Sequence, residues 1–302
     1  MNTIVPEYYD SFRCIADKCK NNCCIGWEID IDDDTYSKYK NTKGKLGKRL
    51  KDNIKIENGV PCFILGESER CPFLNSENLC DIIIECGEDA LCEICSQHPR
   101  FHNYYDSRTE SGIGLCCEEA ARIILTSDKK TKLIPQNQSD EDDFCFEYRQ
   151  KLFEIVQSRE ISIKDRMRQL LGVYYGKGGK TRVSEWIEIY LSLERLDERW
   201  TDILQNSKNC LFEFENSNLI DKFNIAAEQL IIYFLYRYTP KAVYEGMTKQ
   251  WILFSLLSCC MIFYITEANN GSKIEDICNI ARMYSAEIEY SDININMIFD
   301  ML

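Results

Sequence analysis

The chain has 302 residues, a formal net charge of −13 and seventeen cysteines. This length suits one large domain or two ordinary ones, with ample hydrophobic core. The acidic balance disfavours binding to nucleic acid or to an anionic membrane surface, and it is compatible with a lysine-bearing protein partner.

The N-terminus, Met1 to Glu7, has no basic region and no apolar stretch, so it predicts no secretory signal. We therefore expect a cytoplasmic protein with reduced thiols, in which a disulfide framework is not favoured. The longest apolar run, Trp251 to Ile265, falls short of the roughly 20 residues that span a bilayer, and predicts a buried helix.

Twelve of the seventeen cysteines lie between Cys14 and Cys117. Thiolates this dense in a reducing compartment usually hold a metal ion or an iron–sulfur cluster. Two groups far apart in sequence can converge on one centre if the chain between them loops back. The predicted ligands are Cys19, Cys23, Cys24, Cys71, Cys80 and Cys95.

Other cysteines are interpreted as small buried apolar residues, which cysteine often is. They are Cys62, Cys86, Cys92, Cys116 and the late pair Cys259-Cys260. Residues 1–125 are thus predicted to form a cysteine-rich domain that its cofactor organises. Within it, the basic run from Lys38 to Lys55 is interpreted as a solvated helix face.

Residues 126–143 read as a polar linker, and residues 144–302 predict an all-helical domain. The fold class is therefore mainly α, with a cysteine-rich metal or iron–sulfur domain packed on a helical one. A glycine-rich loop, Gly176 to Lys180, follows a helix and lacks the spacing of a phosphate-binding P-loop. Four of the predicted helices carry the clearest patterns: Phe144 to Val156, Trp186 to Trp200, Ala227 to Leu235 and Ile274 to Tyr284.

The cysteine motifs carry a resemblance to the flagellin lysine-N-methylase family, which is related to the broader CxxCxxCC zinc- or iron-chelating proteins. The matching segments are Pro6-x-Tyr8-x3-Phe12-x-Cys14-x4-Cys19-x3-Cys23-Cys24-x-Gly26-Trp27, Cys71-Pro72-Phe73-Leu74, Leu79-Cys80-Asp81, Cys95-x3-Pro99-Arg100 and Leu115-x-Cys117-x-Glu119. Two positions depart from the family pattern, since His98 stands where tyrosine is common and Tyr290 where histidine is common.

The resemblance implies a [4Fe–4S] centre and S-adenosylmethionine-dependent methylation of flagellin lysines. It adds Cys14 and Cys117 to the predicted thiol set. The resulting eight thiols exceed the four that one cubane needs, so one site with spare cysteines and two sites both stay open. A four-thiolate zinc site uses the same ligand and remains the alternative.

Methyl transfer to lysine requires the neutral amine, whose pKa is about 10.4 when free in water. A carboxylate near the cysteine motifs or the C-terminal motif can serve as the base. The candidates are Asp32, Glu119 and Glu289. Each also has an ordinary structural interpretation: Asp32 as a helix cap, Glu119 as a charge in the first turn of a helix, and Glu289 as a surface residue.

The sequence thus predicts a protein lysine N-methyltransferase that acts on flagellin or another lysine-bearing protein. Two other functions use the same thiols: an iron–sulfur redox or electron-transfer protein, and a zinc-stabilised interaction module. No strand–glycine loop–helix pattern identifies a donor site.

Overall fold

The computed structural model describes residues 2–136, 144–174, 185–210 and 214–302. The chain forms two compact units. One is Arg13–Phe101, which we call the thiol-rich unit. The other, the helical unit, combines Met1–Phe12 with His102–Leu302. The thiol-rich unit therefore ends before the boundary expected near residue 125, because the first strand pairs with strands that follow Phe101.

Short elements build the thiol-rich unit. They are α1 (Asp33–Asn41), α2 (Gly44–Asp52), β2 (Ile54–Glu57), β3 (Val60–Phe63), α3 (Asp81–Cys86) and α4 (Glu93–Gln97), numbered with β1 (Asn2–Pro6) of the other unit. The antiparallel β2–β3 hairpin turns at Asn58 and Gly59, both with positive φ. An Asn-Gly pair favours this turn because both residues tolerate positive φ.

The apolar core of the thiol-rich unit is small and aromatic. The rings of Phe63 and Phe73 lie 5.0 Å apart, and the ring of Tyr39 stacks on Phe63 at 6.1 Å. Leu46 and Leu50 project from α2 into the same core. Their spacing of four residues gives α2 one buried face and leaves most of its lysines in solvent.

A four-stranded sheet lies in the helical unit, in the order β4-β5-β1-β6. Its other strands are β4 (Arg100–Tyr104), which crosses the boundary between the units, β5 (Arg108–Ile113) and β6 (Leu133–Pro135). β1 runs parallel to β5 and antiparallel to β6. None of these strands was predicted, because they are short and β1 pairs with residues more than 100 positions away in β5 and β6.

Helices make up most of this unit, and the mainly α fold class is confirmed. They are α5 (Glu118–Leu125), α6 (Phe144–Val156), α7 (Ile163–Tyr174), α8 (Trp186–Ser192), α9 (Glu198–Ser207), α10 (Asn218–Lys222), α11 (Asn224–Arg237), α12 (Thr239–Val243), α13 (Thr248–Ala268), α14 (Ile274–Tyr284) and α15 (Asp292–Met301). The Ser162 hydroxyl accepts the N–H of Asp165 at 3.1 Å and caps α7.

The apolar stripe from Trp186 to Trp200 is divided between two helices instead of one. Asp197 caps α9 through the N–H of Arg199, at 2.8 Å. The buried carboxylate of Glu287 accepts the N–H groups of Leu196 and Asp197, at 2.9 and 2.8 Å. These bonds satisfy the backbone between the helices, so a period of 3.6 residues alone did not reveal the break.

Helix α13 is the buried centre of the helical unit, as predicted, although it extends beyond the apolar run of Trp251 to Ile265. Among the described residues it is the one helix whose length and composition would allow it to cross a membrane. In its apolar window, 89% is buried by the rest of the structure, as in the core helix of a globular unit.

Part of two sequence predictions lies outside the described residues. The glycine-rich loop Gly176 to Lys180 is one, and residues 137–143 of the predicted linker are the other. Within the described part of that linker, Leu133–Pro135 forms strand β6.

Candidate functional site: a cluster of thiols

Five thiols meet in or against the core of the thiol-rich unit. Cys71 and Cys92 are buried within it, and the other three, partly buried, pack against it: Cys24, Cys80 and Cys95. Four of the five were predicted as ligands. The residues between the two groups do loop back, so positions about 70 residues apart in sequence contribute to one cluster.

Backbone hydrogen bonds join the three segments that carry Cys24, Cys71 and Cys80. The N–H of Cys71 donates to the carbonyl of Cys24 at 2.9 Å. Leu74 and Cys80 face each other in an antiparallel bridge, and the N–H of Asp81 donates to the carbonyl of Phe73 at 2.8 Å. These short bonds fix the segments without any long strand.

The turn around Cys24 depends on its neighbours. The Asn22 side chain accepts the N–H of Cys24 at 2.9 Å, which closes a side-chain turn. Gly26 adopts φ +81° and donates its N–H to the carbonyl of Glu69 at 3.1 Å. Glycine fits this left-handed conformation at little cost, so it lets the chain turn directly after the cysteine pair.

The segment that carries Cys92 and Cys95 is held by α1. Asp32 caps α1 through the N–H of Thr35 and, with its other oxygen, accepts the N–H of Glu93, the first residue of α4. The Tyr39 hydroxyl donates to the carbonyl of Ala90 at 2.7 Å. One carboxylate and one phenol therefore fix the chain on both sides of Cys92.

Two arginines brace the same cluster. Arg49 donates to Asp81 at 2.8 Å and to the carbonyl of Pro72 at 3.0 Å, so it joins the residues that follow Cys80 and Cys71. Arg70 donates to the carbonyls of Leu74 and Asn75 in the turn after Cys71. The sequence analysis placed Arg49 in a solvated basic run and did not assign it this contact.

Two of the clustered thiols stand at helix N-termini. Cys80 and Cys92 are the N-cap residues of α3 and α4, and neither side chain makes a capping hydrogen bond. Nearby backbone N–H groups act to lower the pKa of Cys71 and of Cys80, although burial has the larger, opposite effect. Such groups favour a thiolate, the form that binds metals.

Burial opposes ionisation of these thiols. It raises the pKa of Cys71 to about 12 and also raises the pKa of Cys80. A hydrogen bond from Cys23 lowers the pKa of Cys24, with a further decrease from the positive charge of Arg70. In the pair Cys92 and Cys95, the interaction between the two thiols lowers the pKa of Cys92 and raises the pKa of Cys95.

The donor set fits a thiolate-held metal centre in its chemistry. The charges of Cys24 and Cys80 raise the pKa of Cys71, that of Cys24 raises the pKa of Cys80, and those of Cys92, Cys24 and Cys71 raise the pKa of Cys95. Nevertheless, no group of three histidine, cysteine, aspartate or glutamate side chains in the described ranges is arranged to hold one metal ion. Four sulfurs around one tetrahedral zinc ion lie about 3.8 Å from one another, because Zn–S bonds are near 2.3 Å. A four-iron cluster is larger than a single ion, so its cysteine sulfurs lie farther apart than those around zinc.

The remaining predicted ligands lie elsewhere. Cys23 bonds to Cys24 at the edge of the cluster, and Cys19 ends the 3₁₀ turn Ala16–Lys18. Cys14 is exposed and accepts the N–H of Ala16 at 3.4 Å. Cys117 belongs to the helical unit, where it is the N-cap residue of α5.

The cysteines interpreted as packing residues have varied positions. Cys62 is buried in β3, while Cys116 and the pair Cys259-Cys260 are buried in the helical unit. Cys86 is instead exposed at the end of α3. Cys92 also differs, because it joins the thiol cluster. Its signal was the Cys92-x2-Cys95 spacing, which resembles a metal-ligand pair.

Two of the three candidate carboxylates have structural partners. Asp32 is the double cap described above, and its pKa is lowered because the bonds from Glu93 and Thr35 outweigh the effect of desolvation. Glu119, in the first turn of α5, pairs with Arg122 through two bonds of 2.6 and 2.7 Å. The third candidate is different.

Glu289 lies in a buried polar network of the helical unit and not on the surface. Its carboxylate accepts from the hydroxyls of Tyr233 and Tyr238 at 3.1 Å and pairs with Arg237 at 3.1 Å. Tyr233 in turn accepts from Arg237 at 2.8 Å and from the N–H of Leu115 at 3.3 Å. The network is therefore anchored to the segment just before Cys116.

Glu289 ends the π-helical turn Ser285–Glu289 that continues α14. Such turns are frequent at functional sites, since they rotate side chains out of the regular helix register. The next residue, Tyr290, is 37% exposed, and its ring lies 5.2 Å from the Arg237 guanidinium. Tyr290 thus places a partly exposed phenol beside the buried network.

Curated proteins resemble the chain over part of its length. The flagellar biosynthetic protein FliU of Salmonella muenchen is 31% identical over 130 residues, which cover 40% of this chain and 75% of FliU. The lysine-N-methylases of Salmonella typhimurium and Salmonella choleraesuis are each 30% identical over 126 residues, 40% of this chain. No family model matches the chain, and no solved structure matches it.

The matched segment spans 31% of the length of each lysine-N-methylase, and three quarters of FliU. On this similarity, the chain belongs to the flagellin lysine-N-methylase family.

Proposed function

We propose that this protein is a lysine N-methyltransferase with a protein substrate, flagellin or a related lysine-bearing protein. The observation that carries the proposal is the similarity to two lysine-N-methylases together with FliU. S-adenosylmethionine is the methyl donor that the family resemblance implies. A net charge of −13 is compatible with a lysine-rich substrate surface.

The thiol cluster is the proposed cofactor site. Cys24, Cys71, Cys80 and Cys95 would hold a [4Fe–4S] cluster, with zinc as the alternative that uses the same donors. Backbone N–H groups near Cys71 and Cys80 support this assignment, because they act to lower the pKa of these thiols and so favour thiolates. If only three of the four cysteines ligate the cluster, the fourth iron would be open to a ligand and could bind the donor's amino and carboxylate groups.

The Glu289 network is the proposed place of the substrate amine. A lysine must lose its proton before it accepts a methyl group, and removal from water lowers its pKa. Of the three candidate carboxylates, only Glu289 is fully buried among phenols, and its neighbour in sequence, Tyr290, is partly exposed. The Glu289 carboxylate would accept the proton from the amine directly, Arg237 would keep the carboxylate in place, and the Tyr290 hydroxyl would orient the amine.

The test is methyl transfer by the full chain. Anaerobically purified protein is incubated with S-adenosylmethionine and flagellin, and modified lysines are identified by mass spectrometry of peptides. We expect donor-dependent methylation with wild-type protein and loss with Cys71→Ser. Absence of methylation by metal-loaded wild-type protein, with several lysine-bearing substrates, would contradict the proposal.

Tyr290→Phe examines the amine site in the same assay. It removes one hydroxyl and keeps the ring, and we expect a rate at least about tenfold lower, within the range that general acid–base groups contribute. Tyr244→Phe is the control, because Tyr244 is also exposed in the helical unit and lies outside the network. Equal rates for the two variants would remove Tyr290 from the mechanism.

A further inference from the structure

The basic run from Lys38 to Lys55 is a positively charged segment of an otherwise acidic chain. It holds eight basic residues and one acidic residue, Asp52, so the rest of the chain carries a net charge of −20. Arg49 and Lys55 pair with nearby carboxylates. The other six basic residues form what we call the lysine surface: Lys38, Lys40, Lys43, Lys45, Lys48 and Lys51.

The lysine surface lacks counter-charges of its own. All six side chains are exposed, and in the part of the chain that the structure describes none of them forms an ion pair with a carboxylate. Lysines of the helical unit such as Lys164, Lys208 and Lys241 do form such pairs. Like charges gathered without counter-charges repel one another, and an anionic partner would relieve this repulsion.

Helix α2 carries two of these lysines where a positive charge is unfavourable. Lys43 is its N-cap residue and makes no capping hydrogen bond, and Lys45 lies in its first turn, which contains no acidic residue. The N-terminus of a helix carries the positive end of the helix dipole, so cations there destabilise the helix and anions stabilise it. The stability of α2 therefore does not explain these lysines, whereas attraction of an anion does.

Lys40 and Lys51 meet at a concave patch of the thiol-rich unit, which Tyr36, Tyr39 and Ile54 also line. The Lys40 ammonium lies 4.2 Å from the centroid of the Tyr36 ring, a cation–π contact that restrains a long side chain. The patch thus combines two ammonium groups with apolar side-chain surface. This combination fits a carboxylate that stands beside an apolar residue, as at the edge of a protein interface.

We propose that the lysine surface binds an acidic segment of a protein partner. Carboxylates of the segment would pair with the ammonium groups around the concave patch, and an apolar side chain would lie against Tyr36 and Ile54. A nucleic acid or an anionic membrane fits less well, because its charge extends past the six lysines and is repelled by the acidic remainder of the chain. This binding goes beyond the proposed function and uses none of its residues.

The test titrates the full chain into a fluorescein-labelled decapeptide of glutamates with leucine at its centre, followed by fluorescence anisotropy. One triple variant removes the charge of lysines at the surface: Lys40→Gln, Lys43→Gln and Lys51→Gln. A second keeps that charge: Lys40→Arg, Lys43→Arg and Lys51→Arg. The control removes the same charge from three exposed lysines of the helical unit: Lys129→Gln, Lys130→Gln and Lys132→Gln. Urea unfolding checks that each variant is folded.

We expect wild-type protein to bind the peptide with an affinity that falls as the salt concentration rises. The glutamine triple should bind about tenfold more weakly or worse, within the range that a few exposed ion pairs contribute, while the arginine triple and the control keep wild-type affinity. No peptide binding by folded wild-type protein, or equal losses in the glutamine triple and the control, would overturn the proposal. Tighter binding of an oligothymidine or of phosphatidylserine vesicles than of the peptide would also overturn it, and would assign the surface to a nucleic acid or a membrane.

Discussion

His98 carries a titratable imidazole ring that is largely shielded from solvent. Its Nε2 atom is buried and has no hydrogen-bond partner among the described residues, and the ring lies 6.3 Å from that of Trp27. Burial lowers the pKa of His98 to about 4. The folded state therefore holds this histidine neutral at pH values at which the unfolded chain already binds a proton.

The expected result is a pH-dependent loss of stability that His98→Phe removes. The pKa of His98 in the unfolded chain is near 6.5. Its contribution to the unfolding free energy is therefore fully present above about pH 7 and is lost as pH falls toward 4. Between pH 7 and pH 5, wild-type protein should lose about 2 kcal/mol more of its unfolding free energy than the variant. Urea unfolding at both values measures this difference, and parallel losses would contradict it.

At Cys92, residue type alone did not predict the position. A cysteine can be buried as an ordinary apolar residue, and only the fold shows that Cys92 lies in the same core as Cys71. Glu289 presents the same difficulty, because its burial depends on Tyr233 and Tyr238, about 50 residues away in sequence. That Cys24, Cys71, Cys80 and Cys95 lie together was predictable, because cysteines at this density favour one shared centre.

Short segments of the thiol-rich unit are joined by side chains more than by long strands or helices. Arg49 on α2 shows this most clearly, because it bonds to both the turn after Cys71 and the first residue of α3. Its guanidinium also lies 5.3 Å from the ring of Phe73. Arg49 thus adds side-chain bonds to the backbone bonds that hold the two cysteine segments together.

Arg49→Met should weaken metal binding without removing a ligand. The methionine preserves much of the apolar stem but loses the bonds to Asp81 and Pro72, so we expect Zn²⁺ affinity to fall about 10–100-fold. Lys51→Met is the control, since Lys51 is exposed on the same helix. Chelator competition measures both variants. Equal affinities would show that the cysteine segments keep their positions without Arg49.

Helix prediction succeeded where an apolar stripe was long, and failed where tertiary bonds decided the end of an element. The bounds of α14 were predicted to the residue, whereas the break between α8 and α9 depends on the distant carboxylate of Glu287. The sheet was missed for a related reason. β1 and β5 have no strong alternation, and the Tyr236 hydroxyl bonds to a carbonyl of each strand from α11.

The two units differ in what stabilises them. The helical unit has a central helix, α13, that is almost wholly buried, and buried ion pairs such as Arg149 with Glu110. The thiol-rich unit has short elements and a small core to which cysteines contribute. Metal binding to the folded state adds directly to its stability, so this unit should depend on the proposed centre.

Metal removal should therefore act locally. After anaerobic chelation, hydrogen exchange should accelerate in Arg13–Phe101, while amides of α11 and α13 keep their protection. Mass spectrometry of peptides from metal-loaded and metal-free protein measures both units in one experiment. Uniform acceleration across the chain, or none in the thiol-rich unit, would contradict this view.

The central claim is that the thiols of this unit hold a metal cofactor. Metal and acid-labile sulfide analysis of anaerobically purified wild-type protein, with its absorption spectrum, tests it most directly. We predict about four irons and four sulfides per chain, with a broad visible absorption band, as for a cysteine-ligated cubane. Stoichiometric zinc without that band would support the zinc alternative, and protein that binds neither metal when folded would contradict the claim.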